Sequence, residues 1–379
     1  MKTIIKGGFV VRADCSGFDM RDLFIDDGVI VDGFSGEPDK VISAEGKYLL
    51  PGLIDIHTHG SFGVPYDGKD DGFDEAMIRN AEAGITTVLA TVGTRTEEVM
   101  LAAIENIKKQ VKRGLRGSRI GGIHLEGPFV SMGKLGAMRE VFVPCNVEQF
   151  NKFYDATEGL LRVMTIAPER ENAAEVIAEG VRRGVRMSLG HTLASYEEAM
   201  SGIEAGATGA THTFNAMTPF NHREPGVLGA VLTDPRVSCE AICDMVHLAP
   251  ATVKLIAAAK GKERMILVSD TGLISGLGDG DYRLADGVWR YVRDGVCRTE
   301  SGNIAGSTYT MAQCARKLMG LGFTLADIAL VGAKNPAEAI GIADEVGTLE
   351  PGKRADVIIS DESFNVERVL VGEYDTKES

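Results

Sequence analysis

A chain of 379 residues with 44% hydrophobic and 25% charged side chains has an ordinary globular composition, long enough for one large core and a small appended one. Its formal net charge of −14, from 54 acidic and 40 basic residues, excludes a broad nucleic-acid surface, because covering many phosphates takes a basic face. An anionic small molecule would have to be met by local cations.

The opening Met1-Lys2-Thr3-Ile4-Ile5-Lys6-Gly7-Gly8 has lysines among its apolar residues, leaving no run of about 7–15 apolar residues for a signal peptide, and nothing reaches the roughly 18 of a membrane span. The six cysteines, Cys15, Cys145, Cys239, Cys243, Cys297 and Cys314, show no Cys-x-x-Cys spacing and read as reduced thiols. A cytoplasmic protein with no membrane or nucleic-acid partner is expected.

In chain order, residues 3–5, 9–12, 23–26, 29–31, 41–43 and 47–50 read as short strands with turn punctuation. Asp27-Gly28 between two apolar runs is a hairpin signal. The pattern then changes to strand, polar loop, helix, repeated. Apolar β-rich runs fall at 52–56, 87–92, 120–125, 162–167, 185–189, 207–211, 237–242 and 265–269, and stretches such as 97–113, 171–183 and 195–205 carry the three-and-four spacing of helices. Eight such units predict an α/β fold, a (β/α)8 TIM-like barrel rather than an open doubly wound sheet. Residues 271–303, rich in Gly and Asp and containing Trp289 and Tyr291, follow the eighth strand on the face where such barrels build active sites. They read either as a substrate-contacting lid or as a surface excursion. Strands resume at 356–360 and 368–371. The two chain ends, 1–50 plus 346–379, are therefore expected to form a small β-sandwich domain beside a barrel of residues 51–345.

The metal-binding residue types fall at the C-terminal ends of the predicted strands: His57 and His59 at strand one, His124 and Glu126 at strand three, His191 at five, His212 at six, Asp244 and His247 at seven, Asp270 at eight. A closed barrel brings these ends to one mouth. Six of the chain's seven histidines belong to this set. His57 and His59, two apart, share one side of an extended backbone, and read as metal ligands or as core histidines. Imidazole nitrogen with carboxylate oxygen is a donor set that suits a divalent ion of the zinc type with an open position for water. Glu126 ends an apolar strand, where an unpaired carboxylate is costly, so a cation beside it is expected. Asp270, at another strand end, reads as a proton carrier beside such an ion or as a structural acid. Arg223, in the polar turn Asn221-His222-Arg223-Glu224-Pro225, offers a guanidinium fork to phosphate or a surface pair with Glu224, and backbone N–H groups at Asn215 and Ala216 could add neutral donors.

The ordered pieces Pro51-Gly52-Leu53-Ile54-Asp55-Ile56-His57-Thr58-His59-Gly60, His124-Leu125-Glu126-Gly127-Pro128-Phe129, Gly190-His191-Thr192, Thr211-His212-Thr213-Phe214-Asn215-Ala216-Met217, Arg223-Glu224-Pro225-Gly226 and Ser269-Asp270 resemble the N-acetylglucosamine-6-phosphate deacetylase family of the amidohydrolase superfamily. The resemblance implies Glu126, His191 and His212 as ligands of the main metal, zinc by preference. His57 and His59 stand where some members hold a second ion, so one or two ions are implied. It makes Asp270 the catalytic acid/base and His247 the histidine that orients the acetamide. It places sugar-phosphate contacts at Asn215, Ala216 and Arg223, with His222 assisting, and further substrate contacts at Ala137, Ile304, Ala305 and Gly306. The Arg223 loop can come from a dimer partner in this family, so a homodimer or higher homo-oligomer is expected.

Two departures flank the implied sugar pocket. Asp244-Met245-Val246-His247 replaces the family's usual Asp-Gly, and Thr271-Gly272-Leu273 replaces an alanine-containing form. Hydrolysis of N-acetylglucosamine 6-phosphate to glucosamine 6-phosphate and acetate is the implied reaction, with N-acetylgalactosamine 6-phosphate or another related amide as alternatives. Cyclic-amide hydrolases of this barrel often bridge their ions with a modified lysine on strand four, and residues 162–167 contain none. A sugar-phosphate sensor that had lost catalysis would be expected to lack Asp270 or a ligand.

Overall fold

The computed structural model describes residues 1–68, 72–284 and 287–378. Strands β1 (Lys2–Val11), β2 (Phe18–Asp26), β3 (Val29–Val31), β4 (Lys40–Ser43) and β5 (Tyr48–Pro51) open the chain. Between β2 and β3, Asp27 and Gly28 have φ of 47° and 74°, the two positive angles that a type I′ hairpin turn needs. A Cβ on Gly28 would sit 3.1 Å from Glu373, so a larger residue would also collide with the returning C-terminal segment.

Strand β6 (Leu53–Thr58) begins the barrel and is followed by a minimal hairpin, β7 (Gly60–Ser61) and β8 (Val64–Pro65). The barrel continues with β9 (Ile85–Gly93), β10 (Arg119–Glu126), β11 (Leu161–Ile166), β12 (Arg186–Leu189), β13 (Gly209–Ala210), β14 (Ser238–Ile242) and β15 (Met265–Val268). Each strand pairs in parallel with its neighbours in sequence, in the order β15-β14-β13-β12-β11-β10-β9-β6. Helices α1 (Phe73–Glu82), α2 (Glu97–Arg113), α3 (Val147–Ala156), α4 (Ala173–Arg182), α5 (Tyr196–Glu204), α6 (Gly226–Thr233) and α7 (Pro250–Lys260) make the crossovers, and α8 (Met311–Met319) follows the last strand. The expected (β/α)8 fold is borne out.

The local reasons are visible in the sequence. Parallel strands are covered on both faces, so they carry near-continuous apolar runs, and all nine residues of β9 are buried. Helix α5 starts at a reciprocal capping box, Ser195 with Glu198, and α8 at another, Thr310 with Gln313. Along β6 the two-residue period puts Ile54 and Ile56 on one side, in an apolar cluster that includes Ala337 and Ile340. It turns Asp55 and His57 inward. Strand eight closes on strand one through its extension: the Asp270 N–H donates to the His57 carbonyl at 2.9 Å, and the His59 N–H to the Thr271 carbonyl at 2.7 Å.

After β15 the chain builds a three-stranded antiparallel sheet, β16 (Gly280–Arg283), β17 (Trp289–Arg293) and β18 (Val296–Thr299). Residues 285–286 of the 271–303 stretch, read as a lid or a surface excursion, lie outside the described residues. The C-terminal strands β19 (Asp356–Ser360), β20 (Val366–Val371) and β21 (Tyr374–Asp375) add to the N-terminal ones in the order β21-β20-β19-β5-β1-β2-β3. The β domain expected from both termini is thereby formed. Strand β1 is shared lengthwise, its first half pairing with β4 and its second with β5. All six cysteines are buried free thiols. Among the described residues, no helix is long and apolar enough to cross a membrane.

Candidate metal centre and active site

Four imidazoles surround one carboxylate at the barrel mouth. Glu126 Oε1 lies 3.0 Å from His191 Nε2, 3.0 Å from His212 Nε2 and 3.3 Å from His57 Nε2, while Oε2 lies 3.1 Å from His59 Nε2. His191 Nε2 and His212 Nε2 are themselves 3.0 Å apart. Asp270 Oδ1 faces the other side of the pair His57 and His59, at 3.6 and 3.5 Å from their Nε2 atoms. Donor atoms bound at about 2.0–2.2 Å to one ion sit roughly 3.3 Å apart in a tetrahedron, so these spacings suit shared coordination. His57 Nε2 is buried without a hydrogen-bond partner, as a lone pair aimed at an ion would be. His57, Glu126 and His212 form one group of mutually close donor atoms, and His57, His59 and Asp270 another.

The other nitrogen of two of these rings is held from behind. His191 Nδ1 is 2.7 Å from the Lys134 carbonyl, and His57 Nδ1 is 3.1 Å from Glu240 Oε2. The His212 backbone N–H also donates to Glu240 Oε2, at 3.2 Å. Such outer contacts fix ring orientation and tautomer. Glu240 was not found by sequence reasoning. Its signal was available: an acid inside the apolar run Ser238-Cys239-Glu240-Ala241-Ile242, wholly buried, which demands a partner. Glu240→Gln should weaken metal retention by roughly 10- to 100-fold while leaving the Glu126 cluster intact, as measured by metal per chain after dialysis against graded chelator.

Burial favours the neutral form of Glu126, but His191, His57 and His59 outweigh it and hold the carboxyl well below the usual range, as an anion. Burial likewise opposes charge on His57 and His191. Asp270 and Glu126 outweigh it at His57, and Glu126 does so at His191, so both pKa values are raised in the metal-free chain. His124, which the strand-end pattern groups with the others, packs edge-on against His57 but has both nitrogens taken: Nδ1 meets the Ile56 carbonyl at 3.1 Å and Nε2 the Thr165 hydroxyl at 2.9 Å. Burial, with the neighbouring His57 charge, pushes it down to about 3, so it is a neutral core residue.

A cavity of about 320 Å³ opens from this cluster and is lined by His247, Asp270, Asn215, Ala216, Ala137, Ile304, Ala305 and Gly306 among others, so these predicted contacts converge on one space. His247 Nδ1 is 2.7 Å from Asp244 Oδ2, which also accepts from the Ser307 hydroxyl at 2.8 Å, leaving Nε2 toward the cavity side. Burial opposes its protonation, and Asp244 reverses that, raising the His247 pKa. Two predicted residues stand apart: His222 and Arg223 are on an exposed loop outside the cavity, and Arg223 makes no ion pair with Glu224 among the described residues. The hairpin sheet does reach the site, contributing Leu284, Arg290 and Cys297 to the cavity wall.

Backbone strain concentrates here. His191, His212 and Asp270 have φ of 48°, 28° and 48°, and Phe214, Ala216 and Met245 are also positive. Each such conformation in a non-glycine residue costs of order 1–3 kcal/mol and persists only where the surroundings impose it. Met245, which replaces a family glycine, packs against the main core and does not line the cavity, whereas Leu273 does. Of the two departures, only the second changes the pocket wall.

The amidohydrolase family matches the chain over residues 48–373. The chain is 36% identical over 346 residues to N-acetylglucosamine-6-phosphate deacetylase of Bacillus subtilis (strain 168), covering 88% of this chain and 87% of that protein. It is 34% identical over 356 residues to N-acetylgalactosamine-6-phosphate deacetylase of Escherichia coli O157:H7, covering 93% and 94%. Among solved structures, a mutant N-acetyl-D-glucosamine-6-phosphate deacetylase from Mycobacterium smegmatis, in complex with N-acetyl-D-glucosamine-6-phosphate, superposes with a TM-score of 0.90 at 33% identity over 99% of both chains. With the barrel, the strand-end cluster and these likenesses agreeing, the chain belongs to the amidohydrolase family and, within it, to the N-acetylglucosamine-6-phosphate deacetylases.

Proposed function

We propose that this protein hydrolyses the N-acetyl group of N-acetylglucosamine 6-phosphate, giving glucosamine 6-phosphate and acetate in amino-sugar catabolism. The observation that carries the reading is the convergence of Glu126, His191 and His212 to within 3.0 Å beside Asp270 and a sugar-sized cavity. Glu126, His191 and His212 would hold the main divalent ion, zinc by preference of the donor set, and His57 with His59 a second. When bound, such an ion acidifies water and polarises an amide carbonyl. Asp270 accepts the proton of the attacking water and delivers it to the departing amine nitrogen, without which an amide leaves poorly. His247, oriented by Asp244, donates from Nε2 to the acetamide oxygen.

Asn215 and Ala216 line the cavity, and we assign the sugar-phosphate end to them. The exposed position of Arg223 and His222 supports their supply to a partner's cavity in a homodimer or higher homo-oligomer. The chain is read as a cytoplasmic enzyme with residues 1–50 and 346–379 as the terminal β module and 51–345 as the hydrolase barrel. Acetate release should be measured on the 6-phosphates of N-acetylglucosamine and N-acetylgalactosamine, with and without chelator. Turnover of the first at the higher kcat/KM, abolished by chelator and restored by zinc, is expected; preference for the second would reassign the sugar.

A further inference from the structure

Beyond the groups used above, the cavity wall carries two guanidiniums, Arg95 and Arg290. Both are half-buried, and neither has a carboxylate within ion-pair distance among the described residues. Arg95 Nη1 donates only to the adjacent Thr94 carbonyl at 2.9 Å, and Arg290 Nη1 only to the Trp289 carbonyl at 3.1 Å. Among the described residues both stand without an acidic partner, whereas Arg293, three residues along the same strand as Arg290, is paired with Asp281 at 2.5 Å. Asp67 lines the cavity too, yet pairs with neither.

Their place in the barrel separates them from the phosphate end. Arg95 follows β9, the second barrel strand, while Asn215 and Ala216 follow β13, the sixth, and in an eight-stranded barrel these are diametrically opposed. Arg290 stands on β17, in the sheet inserted after the eighth strand, which closes on the first, next to the second. A sugar whose 6-phosphate rests at Asn215 and Ala216 and whose acetamide lies at the metal cluster therefore presents its remaining substituents toward Arg95 and Arg290. Guanidinium forks whose only acceptors among the described residues are the adjacent backbone carbonyls, in a partly desolvated wall, match a carboxylate or phosphate.

We propose that Arg95 and Arg290 form a second anion subsite, so that the preferred substrate is an N-acetylated amino-sugar 6-phosphate carrying a further anionic substituent. The inference rests on the deacetylase reading and narrows its substrate class. It is tested with the metal-loaded enzyme on three compounds: N-acetylglucosamine 6-phosphate, its 3-O-carboxyalkyl ether and its 1,6-bisphosphate. At least one doubly anionic compound should exceed the parent in kcat/KM by about tenfold, the worth of one good charge-assisted contact. The Arg95→Gln and Arg290→Gln variants should collapse that ratio toward one, whereas a merely structural role would lower all three substrates alike. The carboxylate and bisphosphate arms tell which anion the subsite takes. Efficient turnover of the parent with no gain from either second anion, or a ratio untouched by both substitutions, overturns the subsite and leaves the deacetylase reading standing. No turnover and no calorimetric binding of any of the three removes both.

Discussion

Asp270→Asn should lower acetate release by about 10³-fold while metal content stays at the wild-type level, since positioned proton transfer is worth roughly 10²–10⁴. Asparagine keeps the shape and one carbonyl oxygen but cannot take the proton of the attacking water or hand it to the amine. The substitution is clean for a structural reason. Asp270 has φ of 48°, a left-handed conformation that asparagine tolerates as readily as aspartate. Its backbone is anchored independently of the side chain, by its N–H to the His57 carbonyl and its carbonyl to the Ser307 N–H, both at 2.9 Å. Alanine at this position would confound lost chemistry with backbone strain. Single-turnover acetate release together with metal analysis checks both halves. Near-normal turnover in the asparagine variant would remove Asp270 from the proton path, and metal loss in step with activity would make it a ligand instead.

The strand-end residues were legible because the barrel is a repeating device: once eight apolar runs are counted, the residues just after them must share a mouth. His57, Glu126, His191, His212 and Asp270 were found this way. The same rule over-reached at His124, because His124 and Glu126, two apart, share the inward side of the strand, and sequence does not say which of them reaches the mouth. Here Glu126 faces the cluster while both nitrogens of His124 are taken by Ile56 and Thr165. Glu240 escaped because it precedes its strand end, so that only its burial, which is a three-dimensional quantity, marks it. Strand six shrinks from the expected 207–211 to Gly209–Ala210, where a Cβ on Gly209 would strike Ser188 at 2.5 Å. Close approach of neighbouring strands there is not encoded by periodicity. Arg95 and Arg290 were illegible for another reason. Loop and hairpin arginines are usually surface residues, and only the cavity shows that these two share a wall with the metal cluster.

Glu126→Gln should reduce bound metal below about a tenth of wild type and turnover by at least about 10³-fold, the largest effect of any single ligand change. One carboxylate reaches four imidazoles, through Oε1 to His57, His191 and His212 and through Oε2 to His59, so its loss loosens every imidazole of the cluster at once. Glutamine supplies one neutral oxygen and an N–H₂ that repels a cation. A ligand held at a thousandfold excess over its Kd stabilises the fold by about 4.1 kcal/mol. Chelator should therefore lower the Tm of the wild type and leave that of the variant unchanged. Proton competition gives the pH dependence. The raised pKa values of His57 and His191 mean that the metal-free chain keeps its protons to higher pH, so metal retention in the wild type falls as pH is lowered through those values. Removing the Glu126 charge takes away a force that raises both, so the metal-free variant should release these protons at lower pH than the metal-free wild type, visible as a shift in histidine NMR titrations. A variant that bound metal normally, or whose histidines titrated like those of the wild type, would show that Glu126 is not the centre of the cluster.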